Sequence, residues 1–369
     1  MAEPLSSQLS RTLVAFTIEA DDEFEHQIPH RTTRHGATAG YGDHEAPWLV
    51  SSLMWSMCLR FIPAGGTSVR AYARSAWWLT PKGISTTLRR MAAWWNYLSI
   101  EGPAEPGPAA KAKADRIVRP TAGGRRAQDA WAPLTGQIEE RWGERLGPAP
   151  VRALCSALED LVDQVDRPLP DCLRLYEVDL GRRAPNRPRV ATSLPGLLAQ
   201  AILAFELEFE AACPVPMAVC GNVLRVLGDG APAGLPVKDL AGRTGLARDG
   251  AEAGLRALER RKLVTVGADP DGGRLRVATL TRAGVDRHQQ ATDLTAAIED
   301  RWRERYGRRC LAALSDALTP VAGRPGDPEG PLWAGLYRYP DGWRSSLPRP
   351  DTLPHHPAVS HRGGYLDGA

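Results

Sequence analysis

An internal duplication constrains this chain of 369 residues more than any other feature of its sequence. Residues 121–158 align without a gap to residues 281–318, which lie 160 positions later. Trp142 aligns with Trp302 at the centre of the match, and shared arginines and glycines surround both. Two unrelated helices of similar composition would not be expected to have Trp, Arg and Gly at the same aligned positions. We therefore interpret the chain as two copies of one unit.

The bulk composition indicates a soluble globular protein, with 43% hydrophobic and 24% charged residues. No apolar run reaches membrane-spanning length and the N-terminus lacks a signal-peptide pattern, so we expect a cytoplasmic protein. The six cysteines form no CxxC pair, which favours buried reduced thiols over redox sensing. The formal net charge of +3 is too small to indicate a nucleic-acid partner. Only the way in which the charge is distributed along the chain can support a nucleic-acid partner.

Each copy opens with predicted helices. Helical spacing of apolar residues predicts a helix over 9–27, echoed over 197–210, and a second over 48–61, echoed over 219–227. The segment 29–47 has no counterpart in the second copy. It contains three histidines whose spacing matches no metal motif, so we interpret it as a polar surface loop: His30, His35 and His44.

A short helix, a tight turn and another helix come next, over 67–78 and onward in the first copy and from 235 in the second. Thr80 is the expected N-cap and Pro81 the first residue of the second helix. Its apolar residues share one face and should pack inward: Ile84, Leu88, Met91 and Trp95. The opposite face is cationic and hydroxylic: Lys82, Ser85, Thr86 and Arg89. It suits phosphates and base edges in a DNA major groove, although a merely solvated helix face is the alternative.

A predicted hairpin follows directly, over 96–119 in the first copy and 263–280 in the second. A hairpin behind a helix-turn-helix is a wing, and basic residues on it suit an adjacent groove or the DNA backbone. The candidates on the wings are Lys111, Lys113, Arg116, Arg274 and Arg276. Those on the helix-turn-helix elements, beyond the face described above, are Arg70, Arg74, Arg243, Arg248 and Arg256.

The two copies differ on the face proposed to contact DNA. Aligning Leu88 with Leu255 puts Asp249 opposite Lys82 and Glu252 opposite Ser85. Carboxylates repel phosphates, although Glu can accept a hydrogen bond from cytosine. We therefore expect the first copy to contact DNA more strongly and the target to be an imperfect palindrome.

The order of these elements resembles that of the MarR family of bacterial winged-helix regulators. Residues 255–264 are similar to the family's passage from recognition helix to wing, and residues 269–284 to its wing and following helix. The family's paired wing arginines match only at Arg274, since the neighbouring residue is Gly273. The resemblance covers most of both halves and is more specific in the second.

The resemblance implies a mainly α fold with small β-hairpin wings (α+β). Two winged helix-turn-helix repeats, 1–179 and 196–339, would pair through long dimerisation helices into an intramolecular pseudo-dimer. We expect 180–195 to be a linker and 340–369 a loosely ordered tail. The implied function is sequence-specific binding of double-stranded DNA by a single chain on the nucleoid, as a transcriptional repressor without a cofactor.

Family members commonly bind small aromatic effectors between the dimerisation helices and the winged domain. Four residues on those helices are the corresponding candidates here: Trp55, Met57, Trp131 and Trp142. Packing in the core is the alternative reading of all four.

An enzyme and a protein-interaction module are the two alternative classes of function. An enzyme is not expected, because the chain has no GxSxG, HExxH, P-loop or dinucleotide fingerprint. A protein-interaction module is the stronger rival, since winged helices also bind proteins. An exposed tryptophan cluster would favour it, whereas a continuous basic stripe would favour DNA. The tryptophans in question are Trp77, Trp78, Trp94 and Trp95.

Overall fold

The computed structural model describes residues 3–28, 52–93, 95–102, 115–173, 192–230, 234–268, 276–341 and 349–356. Within them the protein is mainly helical and has two small antiparallel sheets, which confirms the α+β class. Eight residues named above lie outside this part of the chain: His30, His35, His44, Trp94, Lys111, Lys113, Gly273 and Arg274.

The first run of elements alternates helices with a small sheet. Its helices are α1 (Leu5–Gln27), α2 (Ser52–Met57), α3 (Val69–Ser75), α4 (Pro81–Ala93), α5 (Ala122–Leu146) and α6 (Pro148–Val162). A 3-10 turn, Leu59–Phe61, follows α2. Its strands are β1 (Thr67–Ser68), β2 (Leu98–Glu101) and β3 (Ile117–Pro120).

The second run repeats this order. Its helices are α7 (Leu194–Ala212), α8 (Asn222–Gly230), α9 (Leu240–Thr244), α10 (Arg248–Arg260), α11 (Arg282–Arg305) and α12 (Arg308–Ala322). Its strands are β4 (Leu235–Pro236), β5 (Val264–Ala268) and β6 (Arg276–Leu280). A π-helical turn, Met217–Gly221, leads into α8, and a 3-10 turn, Val237–Asp239, leads into α9.

The two sheets have one topology. Their strand orders are β1-β3-β2 and β4-β6-β5, with every pair antiparallel. Val118 pairs with Thr67 and Ile100 in the first sheet, and Ala278 pairs with Leu235 and Val266 in the second. Val118 and Ala278 are 160 residues apart and are both fully buried. The duplication therefore extends from the helices to the register of the strands.

The same local chemistry begins both long helices. Thr121 and Thr281 are N-caps, and each side chain accepts a hydrogen bond from the backbone N–H of the glycine three residues later. Gly124 and Gly284 lie so close to a carbonyl oxygen, of Tyr97 and of Leu263 respectively, that an added Cβ would collide with it. This close approach explains why glycine recurs in the duplicated sequence.

The duplicated Trp, Arg and Glu residues form the same packing unit twice. In the first run Glu19 accepts hydrogen bonds from Trp142 Nε1 at 2.9 Å and from Arg145 Nη2 at 2.5 Å, and Phe16 packs edge-on against the indole at 5.3 Å. In the second run a Glu on α7 accepts from a Trp and an Arg of α11 at 2.9 and 2.7 Å: Glu208, Trp302 and Arg305. Because each indole N–H is buried, the carboxylate supplies the acceptor it requires.

Four helices, two from each run, form the centre of the molecule. Helix α1 packs on α7 and α6 packs on α12. In addition, α1 contacts α12 and α6 contacts α7. Two reciprocal hydrogen bonds join the runs. Leu5 N–H donates to Glu299 Oε1 at 2.6 Å, and Leu194 N–H donates to Glu139 Oε1 at 2.8 Å. Leu5 corresponds to Leu194 and Glu139 to Glu299, so each contact is the exchanged image of the other. Such reciprocity is typical of an isologous interface.

Three sequence-based expectations need correction. The linker predicted to end at residue 195 ends earlier, because α7 already begins at Leu194 with Pro195 in its first turn, where proline is favoured. The helix predicted over 48–61 is interrupted at Cys58, and its last turn is 3-10. The tail predicted to be loosely ordered contains a packed segment, 349–356, in which Leu353 is buried.

Among the described residues no single helix is long and apolar enough to cross a membrane. One bent pair, Leu194–Ala212 with Met217–Gly230, meets that criterion only when its two helices are taken together.

Candidate nucleic-acid interface and ligand cavity

Helix α4 separates an apolar face from a cationic one, as its sequence predicts. Thr80 Oγ1 accepts a hydrogen bond from Gly83 N–H at 3.0 Å and so caps the helix. The inward residues Ile84, Leu88 and Met91 are buried, and so is Trp95, although α4 ends at Ala93 and Trp95 lies beyond it. On the other face Lys82, Ser85 and Arg89 are exposed, whereas Thr86 is half-buried. Within the described part of the chain, no ion pair involves Arg89. The α4 face therefore presents cationic and hydroxyl groups to solvent.

Helix α10, the counterpart of α4, presents a different surface. Its arginines are exposed but tied to one carboxylate: Glu252 pairs with Arg248 at 3.0 Å and with Arg256 at 3.4 Å. Both pairs follow the i,i+4 geometry of a helix face, where each stabilises the helix modestly and offsets the positive charge. Ser85 occupies the position of Glu252 on α4. The two faces are thus alike in shape and unlike in charge.

The remaining basic candidates lie beside these two helices. Arg70 and Arg74 are exposed on α3, and Arg70 pairs with Asp115 at 3.0 Å next to the exposed Arg116 at the base of the hairpin. In the second run Arg243 is exposed on α9, 3.9 Å from Asp351.

A cleft of about 350 Å³ opens beside α10. Arg248 and Arg276 line it together with Lys238 and Glu252. Lys238 belongs to the 3-10 turn and was not singled out from the sequence. Its place at the start of the predicted helix-turn-helix element is the sequence signal that could have identified it.

The tryptophans near α4 do not form an exposed cluster in the described residues. Trp78 and Trp95 are buried and Trp77 is half-buried, packing edge-on against Trp78 at 5.8 Å. Trp94 lies outside the described residues. The exposed aromatic surface that would favour a protein-docking role is therefore absent from the three that are described.

A cavity of about 120 Å³ lies between α1, α2 and α5 of the first run and the start of α7. Its lining is largely apolar, with Trp55 and Trp131 among the side chains, and it includes several hydroxyl groups: Thr17, Ser52, Ser56, Thr135 and Ser193. An apolar cavity of roughly 150 Å³ can hold benzene, so this one has room for about one aromatic ring.

A half-buried ion pair lies at one side of the cavity. Arg60 donates two hydrogen bonds to Asp171, of which Nη1 to Oδ2 measures 2.7 Å. Burial alone would lower the pKa of the Arg60 guanidinium, but hydrogen bonding and charge attraction from Asp171 raise it above its usual value. Sequence reasoning missed this pair because its members lie 111 residues apart.

Two of the four effector candidates line this cavity, namely Trp55 and Trp131. The other two do not, because both serve the core. Met57 is buried and its carbonyl accepts a hydrogen bond from Tyr72. Trp142 is fully buried against Phe16 and Glu19. Met57 and Trp142 therefore do not line this cavity, and their contact with a ligand stays a prediction.

Comparison with protein-family models, with curated proteins and with solved structures yields no match for this chain.

Proposed function

We propose that this chain is a transcriptional regulator that binds double-stranded DNA sequence-specifically as a single-chain pseudo-dimer of two winged-helix repeats. The observation that carries the proposal is the pair of reciprocal contacts between the runs, Leu5 with Glu299 and Leu194 with Glu139. Two copies of a unit paired isologously present their recognition helices in opposite senses. A palindromic DNA site requires that arrangement, with half-sites about one helical turn apart.

The cationic face of α4 supports a role in DNA contact. Lys82 and Arg89 suit phosphates or guanine edges, and Ser85 suits either kind of partner. The salt-bridged face of α10 supports unequal half-sites, because Glu252 offsets the charge of both neighbouring arginines. We therefore infer an imperfect palindrome contacted more strongly by the first repeat.

The cavity supports regulation by a small aromatic effector. It touches α1, α2, α5 and the start of α7, so a molecule held there contacts both the central helices and the elements leading to α3 and α4. A ligand that bound one arrangement of these elements better than another would shift the DNA affinity. Repression released by such a ligand is the mode of action we propose.

The proposal is tested by titrating purified protein into a labelled duplex from the upstream region of its own gene. Sequence-specific, salt-sensitive binding of one chain per site is expected. A duplex of scrambled sequence and two salt concentrations separate specific from general binding. Two chains per site would overturn the single-chain geometry. If selection from genomic fragments also enriched no sequence, the DNA-binding function itself would be wrong and a protein-docking role would replace it.

A further inference from the structure

Residues 349–356, here called the C-terminal strap, are anchored in the second run by one asparagine. Asn222 Oδ1 accepts hydrogen bonds from the backbone N–H groups of His355 and His356, both at 3.0 Å, and its Nδ2 donates to the carbonyl of His356. Asn222 is itself buried. One side chain thus satisfies three backbone groups of two successive residues and fixes the position of the segment.

The strap also joins two distant parts of the fold. Ser10 Oγ of α1 donates to the carbonyl of Pro354 at 2.9 Å, and Asp351 N–H donates to the carbonyl of Gly242 on α9 at 3.0 Å. Leu353 between these anchors is 1% exposed. The strap therefore connects the central helices to the short helix that precedes α10.

The strap occupies the counterpart of the first run's cavity. Under the duplication Ser10 corresponds to Ala199, Gly221 to Ser56 and Arg225 to Arg60, and these three counterparts line the cavity: Ala199, Ser56 and Arg60. Around the strap, Ser10 donates to Pro354, Gly221 lies against His356, and the positive charge of Arg225 acts on both histidines.

The second run has the smaller side chains that the strap requires. Cys220 stands where the first run has Trp55, and Ala291 stands where it has Trp131. A Cβ added to Gly221 would lie 2.6 Å from the ring of His356, so only glycine leaves room for that ring. The small residue at position 221 accommodates the strap, and the first run retains a cavity at the corresponding place.

We propose that the second repeat contains a peptide-binding site and that the strap is its ligand. Of two equivalent sites, one is open to a small molecule and the other is filled by the chain's own residues. The inference rests on the pairing of the two repeats, which is part of the proposed function, but not on DNA binding.

The electrostatics of the strap agree with this position. Burial lowers the pKa of His355 to about 2 and of His356 to about 3, and the positive charge of Arg225 acts in the same direction on both. Arg11 adds to the effect on His355, whereas Asp229 opposes it at His356 and Glu3 lies 3.8 Å from His355 Nδ1. Both imidazoles are therefore neutral when bound.

The test begins with the full-length chain carrying a specific protease site in place of residues 342–348. After cleavage, the fragment that contains the strap should co-elute with the body in gel filtration, and a labelled synthetic peptide of residues 349–356 should exchange with it. Asn222→Ala should weaken peptide binding by roughly 10- to 100-fold, because three hydrogen bonds to the peptide are lost. Prompt separation of the fragment, with no rebinding of the peptide, would overturn the proposal.

A matched pair of substitutions distinguishes the two sites. Gly221→Leu should expel the strap, because the new side chain would run into His356, whereas Ser56→Leu should fill the first cavity and leave the strap bound. Thermal melting of both variants identifies a general loss of folding. Equal retention of the strap in the two variants would contradict the assignment, whatever the outcome of the DNA titration.

Discussion

The two repeats share their framework and differ in two places. Both contain the Glu–Trp–Arg unit, the capped long helix and the three-stranded sheet. They differ on the outer face of α4 and α10, and again around the cavity and its strap-filled counterpart. Once two units are fused, the residues of the mutual interface remain constrained by each other, whereas each outer surface can change alone. We therefore expect the regions that differ to carry the function and the shared framework to carry the stability.

The largest expected effect concerns the shared centre. Trp142→Ala and Trp302→Ala should each lower the free energy of unfolding by about 3–5 kcal/mol, because both indoles are fully buried and hold a carboxylate. Urea denaturation measures both. Val285→Ala, at a residue that is 51% exposed, is the control and should change little. A loss confined to one tryptophan would show that the repeated units do not carry equal shares of the stability.

The next effect concerns DNA. Joint replacement of Lys82 and Arg89 by alanine should weaken specific binding by about 30-fold or more, because each of the two contacts contributes on the order of 1–3 kcal/mol. Joint replacement of Arg248 and Arg256 should cost less, about threefold, since Glu252 already holds both guanidinium groups. Fluorescence anisotropy at fixed salt compares the two variants. Equal losses would remove the asymmetry between the repeats.

A smaller effect should follow acidification. The folded pKa values of His355 and His356 lie below the usual 6.5, so the released strap binds more protons than the docked one. The strap therefore binds with its full affinity above about pH 6.5, and this affinity decreases as the pH falls toward 3. Between pH 7 and pH 5 the affinity of the strap peptide should drop by about tenfold or more. An affinity that is constant over this range would show that the imidazoles are not buried in the bound state.

The smallest expected effect lies at the reciprocal contacts. Glu139→Ala and Glu299→Ala should each cost about 1 kcal/mol, because a backbone N–H loses its acceptor. Glu139→Gln and Glu299→Gln should retain most of this stability, since the amide oxygen still accepts the hydrogen bond from the backbone N–H. Burial raises the pKa of both carboxyl groups, although the backbone N–H of Leu194 or Leu5 opposes the shift, so removing the charge should not destabilise the fold. Unequal costs at the two sites would show that the pairing is not reciprocal.

The framework could be predicted from sequence because its signals are local or repeated. Thr80 with Pro81 predicts the start of α4, and the alignment of Trp142 with Trp302 predicts two copies of a long helix. The basic face of α4 follows from helical periodicity. Lys82 and Arg89 could therefore be named, although nothing in the sequence shows what they contact.

Other features depend on contacts between distant residues. Arg60 and Asp171 lie 111 residues apart, and Asn222 meets His356, which lies 134 residues later in a proline-rich tail without periodicity. The salt bridges of Glu252 become apparent only once α10 has a defined face. Sequence spacing predicts which side chains share a helix face but does not predict which chain segment covers it.

The reciprocal contact between Leu5 and Glu299 also bears on how the chain acquires its structure. Its partners are separated by 294 residues, and Arg11 reaches the carbonyl of Ala322 across 311. During synthesis α1 emerges first, but α7 and α12, the helices that cover it, are made much later. Helix α5 of the first run can pack on α1 early, but the part of α1 that α7 and α12 cover stays exposed until most of the polypeptide has been translated. Contacts between residues so far apart in the sequence favour slow folding. The apolar surface that stays exposed meanwhile favours binding of the nascent chain by chaperones.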